Sequence, residues 1–176
     1  VVGKGEEAHF QIKDIRMSLN GTEFNLRVMN KTFSVHLNLI GEHNIYNSIQ
    51  AVATVNSFDV SLEKLLKAIS SFTGVSGRLE KVAYAGNGPA VFVDYAHTPD
   101  AMDNVLKSVK ELKGKGKLWA VFGCGGDRDR GKRPLMAQSA ETYCDKIVVT
   151  SDNPRTESAE AIVKEIQTGF SNQNSY

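Results

Sequence analysis

The sequence predicts an α/β protein in two lobes, and three observations carry that prediction. Across residues 9–39, apolar and polar side chains alternate with the period of a half-buried strand, broken at Asn20-Gly21 and Asn30-Lys31. Alternation between tight-turn signals marks an antiparallel meander. Beyond Asp94, short apolar runs instead take turns with segments of helical period, the pattern of parallel strands joined by crossover helices. Between the two, residues 73–82 interrupt both periodicities with Gly74, Gly77 and Arg78, which places a hinge near Ser76.

Taken in order, strands are predicted over 10–19, 24–28 and 32–37. Ile45, Ile49, Val52 and Val55 recur at helical spacing, so a helix follows the meander. Ser61 then stands where it can cap a second helix through SLEKLLKAISSF. The second lobe opens with a hairpin, 79–84 and 90–94, turning at Gly86-Asn87-Gly88-Pro89. Thr98 caps the next helix with Pro99 in its first turn. Met102, Val105, Leu106 and Val109 share one face of it, and it ends at Lys113-Gly114. A strand over 118–122, a helix over 134–143, a strand over 147–150 and a helix over 158–170 complete the series. Such alternation implies a parallel sheet covered on both faces. The chain stops in SNQNSY with no closing strand, so apolar edges of the sheet are expected to be exposed.

Composition bounds the function. At 176 residues and 41% hydrophobic content the chain can bury a core. Lys and Arg total 21 against 20 Asp and Glu, a net charge of +1, which argues against a broad nucleic-acid or polyanion footprint and makes any basic site local. Cys124 and Cys144 belong to no CxxC or Cys/His cluster, so reduced thiols are expected rather than a disulfide or metal site. No apolar run is long enough to span a bilayer, and VVGKGEE lacks the pattern of a signal peptide. A cytoplasmic protein without nucleic-acid or membrane partners is the expectation. The absence of an initiator methionine suggests a piece of something larger.

The chemistry concentrates in residues 119–155, which read as strand, glycine-rich turn, helix, strand and second polar turn. Loops leaving the C-terminal ends of neighbouring parallel strands face one crevice. The first loop holds Asp127, Arg128, Asp129, Arg130, Lys132 and Arg133; the second holds Asp152, Asn153 and Arg155. Mixed charge of this kind suits a zwitterionic ligand bearing a carboxylate. Gly126 to Lys132 fits the spacing G-x-x-x-x-G-K, but Arg133 stands where a magnesium-binding hydroxyl belongs, and a nucleotide P-loop is rejected. A dinucleotide fingerprint fails too, because Arg128 occupies its third glycine position. Elsewhere two readings stay open for each candidate. Glu42, His43, Asn44 and Asn47 either cap a helix and coat its solvated face or read a nucleobase edge. Asp94 either caps the following segment or bonds a ribose. Arg78 either pairs with Glu80 or reaches a phosphate.

GEHNIYN, SGRLEKV, VDYAHTPDA, FGCGGDRDRGKRPLM and SDNPRTE, in this order, resemble the Mur ligase family over essentially the whole chain. DYAHTP is shared with folylpolyglutamate synthetases, whereas GGDRD followed by DNPR is more specific. The resemblance implies that residues 1–76 are the C-terminal part of a central ATP-binding domain. It implies that 77–176 are most of a Rossmann-like C-terminal ligase domain. ATP is then expected at His43, Asn44, Asn47, Arg78 and Asp94, and meso-diaminopimelate at Arg128, Asp152, Asn153, Pro154 and Arg155. The implied reaction, in peptidoglycan synthesis, phosphorylates a carboxylate of UDP-N-acetylmuramoyl-L-alanyl-D-glutamate to an acyl phosphate, which the amine of diaminopimelate attacks. Mg²⁺ is the implied metal, with its ligands, the P-loop and a carbamylated lysine in sequence before Val1. The parent is expected to be monomeric, and residues 1–176 alone are not expected to turn over. A folylpolyglutamate-type ligase and a non-catalytic nucleotide-binding module are the rival readings.

Overall fold

The computed structural model describes residues 1–82 and 88–172. It divides into two compact units, Val1–Asp94 and Tyr95–Tyr176. The expected turn at Gly86-Asn87 and the last residues of the chain lie outside the described residues.

The first unit is built on a four-stranded sheet in the order β1-β2-β3-β4. β2 (Phe10–Ser18), β3 (Gly21–Val28) and β4 (Lys31–Leu37) form the antiparallel meander. β1 (Val2–Gly3) adds a short parallel edge. The period-2 pattern buries Ile12, Phe24, Leu26, Val35 and Leu37 on one face. Ile45, Ile49 and Val52 of α1 (Glu42–Asn56) and Leu66 of α2 (Leu62–Ser71) join the same core. Val55 is instead 41% exposed, because successive i+3 steps from Ile49 drift backward about 60° each on a 3.6-residue helix. Both turns fall one residue earlier than the sequence suggests: Ser18 pairs with Gly21 and Val28 with Lys31. Gly21 therefore opens β3 at φ 127°, where a Cβ would stand 2.1 Å from the Leu37 carbonyl oxygen. Ser61 caps α2, its hydroxyl accepting from the Lys64 amide at 3.4 Å. β5 (Glu80–Val82) and β6 (Val91–Val93) form a separate antiparallel pair.

In the second unit, β7 (Trp119–Phe122) and β8 (Lys146–Val149) run parallel. α4 (Lys132–Tyr143) is their crossover and packs against both α3 (Pro99–Leu112) and α5 (Ala159–Gln167). Ala137 and Ala140, fully buried, keep α4 slim on its core side. Ala120 and Ile147 of the strands share that core with Met102, Leu106, Met136, Ile162 and Ile166. Among the described residues the strand pair is covered on one face only, contrary to the sequence expectation. Trp119, Val121 and Val148 on its other side are 59%, 68% and 41% exposed, since all three helices of the unit contribute to one core. Thr98 accepts from the Ala101 amide as the N-cap of α3, and Ser158 does the same for Ala161 at α5. Both cysteines are free thiols.

Candidate functional site

Two loops leave the C-terminal ends of β7 and β8, and glycine lets them touch. The Gly126 amide donates to the Asn153 carbonyl at 2.9 Å. A Cβ on Gly126 would stand 1.8 Å from the Pro154 carbonyl oxygen, and one on Gly123 would stand 2.4 Å from that of Thr150. No side chain fits at either position without moving backbone. Side chains then cross from loop to loop. The Thr156 amide and hydroxyl donate to the two oxygens of Asp127, at 3.2 and 2.7 Å. The Asp127 amide donates to Glu157 Oε1 at 2.6 Å, and Arg155 Nη1 donates to the Gly126 carbonyl at 2.6 Å.

Beneath the loops sits Arg133, fully buried. Its Nη1 donates to Glu157 Oε2 at 2.9 Å and to Glu165 Oε2 at 2.6 Å. Its Nη2 reaches Glu157 Oε1 at 2.8 Å and the Gly125 carbonyl at 3.3 Å. Only its Nε lacks a partner among the described residues. Arg130 forms a second ion pair with Glu165. The Arg133 guanidinium, followed by the Asp127 amide, pulls the Glu157 carboxyl down to about 2. Bonds from Arg130 and Arg133 likewise lower Glu165. Arg133 itself is raised, chiefly by Glu157 and against the effect of its burial.

The charged residues of the two loops and of the helices that follow them thus separate into two groups. Asp127, Arg130, Arg133, Glu157 and Glu165 hold the protein to itself. Arg128 and the Asp152 carboxylate are exposed and form no hydrogen bond or ion pair with any described residue. Asn153 contributes its carbonyl to Gly126, leaving its side-chain amide exposed; Pro154 presents its carbonyl to Gly126 and accepts from the Glu157 amide. Arg155 spends one guanidinium donor on Gly126 and keeps the rest. Free cationic and anionic groups within two adjoining loops can grip both ends of an amino acid. The loop amides are poor candidates for wrapping a phosphate. Those of Gly126, Asp127 and Gly131 already donate to Asn153, Glu157 and Asp129.

Sequence reasoning grouped Arg133 with the free loop charges and did not single out Thr156, Glu157 or Glu165. A signal existed. Lys132 and Arg133 occupy the first turn of α4, which has no acidic residue of its own, and cations are disfavoured at that end of a helix dipole. Each therefore calls for an outside partner. Lys132 finds the His97 carbonyl at 2.7 Å, and Arg133 finds the two glutamates.

The second group of candidates belongs to the first unit. Asn44, in the first turn of α1, donates its amide to the Ile40 carbonyl at 2.7 Å. His43 and Asn47 are exposed, with the His43 ring lying so close to Gly41 that a Cβ there would meet it at 2.6 Å. Asp94 Oδ2 accepts from the Leu79 amide at 2.6 Å, so this carboxylate fixes the start of the β5 segment. Arg78 is exposed and lines a cavity of about 450 Å³ with Lys81, Asn20, Asn38, Leu39 and Gly74. Glu80 is engaged by the Ser76 hydroxyl and the Gly77 amide, both at 2.8 Å. Among the described residues no three His, Cys, Asp or Glu side chains converge to hold a metal ion, and no helix is long and apolar enough to cross a membrane.

Residues 77–176 match the model of the Mur ligase glutamate ligase domain, and residues 1–55 match that of the Mur ligase middle domain. The UDP-N-acetylmuramoyl-L-alanyl-D-glutamate–2,6-diaminopimelate ligase of Haemophilus influenzae is 52% identical over 138 residues, which are 78% of this chain and 28% of that protein. A solved structure of a ligase of the same name superposes with a TM-score of 0.67 at 39% identity, covering 97% of this chain and 34% of the other. A Mycobacterium tuberculosis folylpolyglutamate synthase complexed with ADP and AMPPCP superposes at TM-score 0.74 with 24% identity, over 93% of this chain and 37% of that one. At that identity the likeness is one of fold alone. The chain spans about a third of the length of these relatives.

Proposed function

The chain belongs to the Mur ligase family, and from that premise we propose that it forms part of an ATP-dependent ligase. The reaction joins meso-diaminopimelate to UDP-N-acetylmuramoyl-L-alanyl-D-glutamate during peptidoglycan synthesis in the cytoplasm. Residues 1–76 close its central ATP-binding domain, and 77–176 supply its C-terminal ligase domain. The observation that carries this reading is the pair of interlocked loops, whose unspent groups are Arg128, Asp152, the Asn153 amide and most of the Arg155 guanidinium.

Those groups complement the far end of diaminopimelate. An arginine fork accepts a carboxylate through paired charge-assisted bonds, and Asp152 with Asn153 accepts the neighbouring ammonium. Lysine lacks that carboxylate and would bring an ammonium against unpaired arginine, so it is disfavoured by lost attraction and by repulsion. On the nucleotide side, Arg78 and Lys81 line a cavity of about 450 Å³, where their cationic groups suit phosphate oxygens, the Lys81 ammonium being held by the Leu19 carbonyl and the Asn20 side chain. His43, Asn44 and Asn47 offer base-edge donors and acceptors, and the second oxygen of Asp94 offers a ribose acceptor. ATP supplies the phosphoryl group that turns the glutamate carboxylate of UDP-N-acetylmuramoyl-L-alanyl-D-glutamate into an acyl phosphate, and phosphate leaves when the diaminopimelate amine attacks. Mg²⁺ finds no three-ligand cluster among the described residues.

The test uses the full open reading frame that carries this sequence. Phosphate release from ATP is measured with UDP-N-acetylmuramoyl-L-alanyl-D-glutamate and either meso-diaminopimelate or lysine. Turnover with diaminopimelate and not with lysine is expected. Arg155→Ala should lower kcat/KM for diaminopimelate roughly 30- to 4,000-fold, the loss of one partner of a desolvated charge pair. Arg155→Lys keeps a donor for Gly126 but loses the fork, and should retain only part of the activity. The KM for ATP should move little in either variant, and should rise instead in Asp94→Ala. Absence of diaminopimelate-dependent phosphate release would refute the assignment.

A further inference from the structure

Five hydrogen bonds and one peptide bond tie Arg133 to a ring that runs through Glu157, Asp127 and Thr156 of the two loops. Arg133 binds both oxygens of Glu157. Glu157 accepts the Asp127 amide. The Asp127 carboxylate accepts the amide and hydroxyl of Thr156, and Thr156 is bonded through its peptide to Glu157. Two further bonds fasten the ring to the unit: Arg133 to Glu165 on α5, and Arg133 to the Gly125 carbonyl at the base of the first loop. The arginines with donors to spare, Arg128 and Arg155, are each the chain neighbour of a ring member, Asp127 on one side and Thr156 on the other.

We infer that Arg133 is a positioning residue, which through Glu157, Asp127 and Thr156 sets the spacing between Arg128 and Arg155 and so the length of amino acid the loops accept. The inference rests on the proposed acceptor role of those two arginines. Arg133 lies fully buried beneath the loops, so it acts on the ligand only through others. Its planar fork is what the geometry uses: two parallel bonds lock the Glu157 carboxylate in one plane, and that plane aims Oε1 at the Asp127 amide. A lysine in its place keeps the charge and loses the plane. Both Asp127 and Arg155 hold left-handed backbone, at φ 51° and 50°, a conformation that relaxes once the contacts imposing it are lost. Relaxation would swing Arg128 and Arg155 independently, so the acceptor would be gripped at one end at a time.

The experiment has two arms, each run with Arg133→Lys and with the milder Glu157→Gln. In residues 1–176, amide exchange is followed by NMR at Asp127 and Thr156, with the Thr150 amide, which donates to the Phe122 carbonyl within the strand pair, as internal control. Exchange at Asp127 and Thr156 should rise about tenfold or more, the equivalent of one lost hydrogen bond, while Thr150 changes less than about twofold. In the full open reading frame, the KM for diaminopimelate should rise about tenfold or more and the KM for ATP less than about twofold. Unchanged exchange at Asp127 and Thr156 would overturn the ring. Faster exchange with an unchanged diaminopimelate KM, or with both KM values rising alongside a lost Thr150 signal, would reduce Arg133 to a support of the fold. A wild-type enzyme that does not consume diaminopimelate would refute the proposed function instead, and the exchange arm alone would then decide the ring.

Discussion

Replacing Gly126 with alanine should destabilise the second unit by about 2 kcal/mol, within the range of one methyl forced into a closed contact. The added Cβ would stand 1.8 Å from the Pro154 carbonyl oxygen and 2.6 Å from its carbon, both of them backbone atoms that no rotamer change can move. Parting the loops enough to admit it stretches the Gly126 to Asn153 hydrogen bond and the Arg155 to Gly126 bond, so strain and lost bonding add. Gly131, five residues along the same loop, is the matched control. A Cβ there meets only the Asp129 carboxylate at 3.2 Å, its backbone is already helical at φ −61°, and Gly131→Ala should fall within about 0.5 kcal/mol of wild type. The assay is urea or thermal unfolding followed by the fluorescence of Trp119, the sole tryptophan and a residue of β7. For a unit of this size each kcal/mol moves the melting temperature about 4–8 °C, so Gly126→Ala should melt roughly 8–16 °C lower. Equal melting of Gly126→Ala and wild type, or an equal loss in Gly131→Ala, would refute the argument that the loops interlock through that glycine.

Acid should act on the same network. Glu157 is held near 2, below its ordinary 4.5, so its contribution is complete above about pH 4.5 and fades as pH falls towards 2. Across that interval wild type should lose stability more steeply than Glu157→Gln, as read from urea midpoints at successive pH values. Thr98→Ala removes the oxygen that accepts the Ala101 amide at 3.3 Å and should cost about 1 kcal/mol, measured on the same tryptophan. In the first unit, Ile49→Ala, fully buried, should cost about 2–5 kcal/mol. Val55→Ala, at 41% exposed, should stay within about 0.5 kcal/mol of wild type; far-UV circular dichroism during denaturation separates the two.

The sequence made the elements legible wherever a period or a cap carried the information. Alternation over β2 to β4 found the meander because one face is buried and the other wet. Ser61 and Thr98 marked helix starts because their hydroxyls answer amides that the helix leaves bare. β1, at two residues, is too short to show a period. Both hairpin turns lie one residue earlier than the dipeptide signals suggest, and at the first of them the positive φ of Gly21 serves the approach of Leu37 rather than the centre of the turn. The expectation of a sheet covered on both faces treated β7 and β8 as members of a wider sheet. Within the described residues they pair only with each other, and Trp119 and Val121 stay exposed. At the loops the residue types were visible, but their division between scaffold and free groups was not. The place of Arg133 in the first turn of α4 hints that it needs an outside partner, but GGDRDRGKRP does not name that partner, because Glu157 arrives from the second loop and Glu165 from α5.

Backbone strain offers an independent route to the same division. Residues with a Cβ enter the left-handed region at a cost of about 1–3 kcal/mol, and the two loops each contain one, Asp127 and Arg155. Each also makes the side-chain bond that crosses to the opposite loop, Asp127 to Thr156 and Arg155 to Gly126. The strain and the bond that offsets it thus reside in the same residue. Relieving either backbone would therefore surrender a cross-loop bond as well, so neither loop can relax alone. What such an arrangement leaves over is a pair of loops of fixed separation, with Arg128 and Asp152 unspent beside them. A site built to bind phosphate by its amides would have kept those amides free; here the amides of Gly126 and Asp127 are spent on Asn153 and Glu157 of the other loop, which leaves side chains as the groups open to a ligand. That arrangement supports the proposed role of the loops, which is to hold an amino acid by the charged groups at its ends.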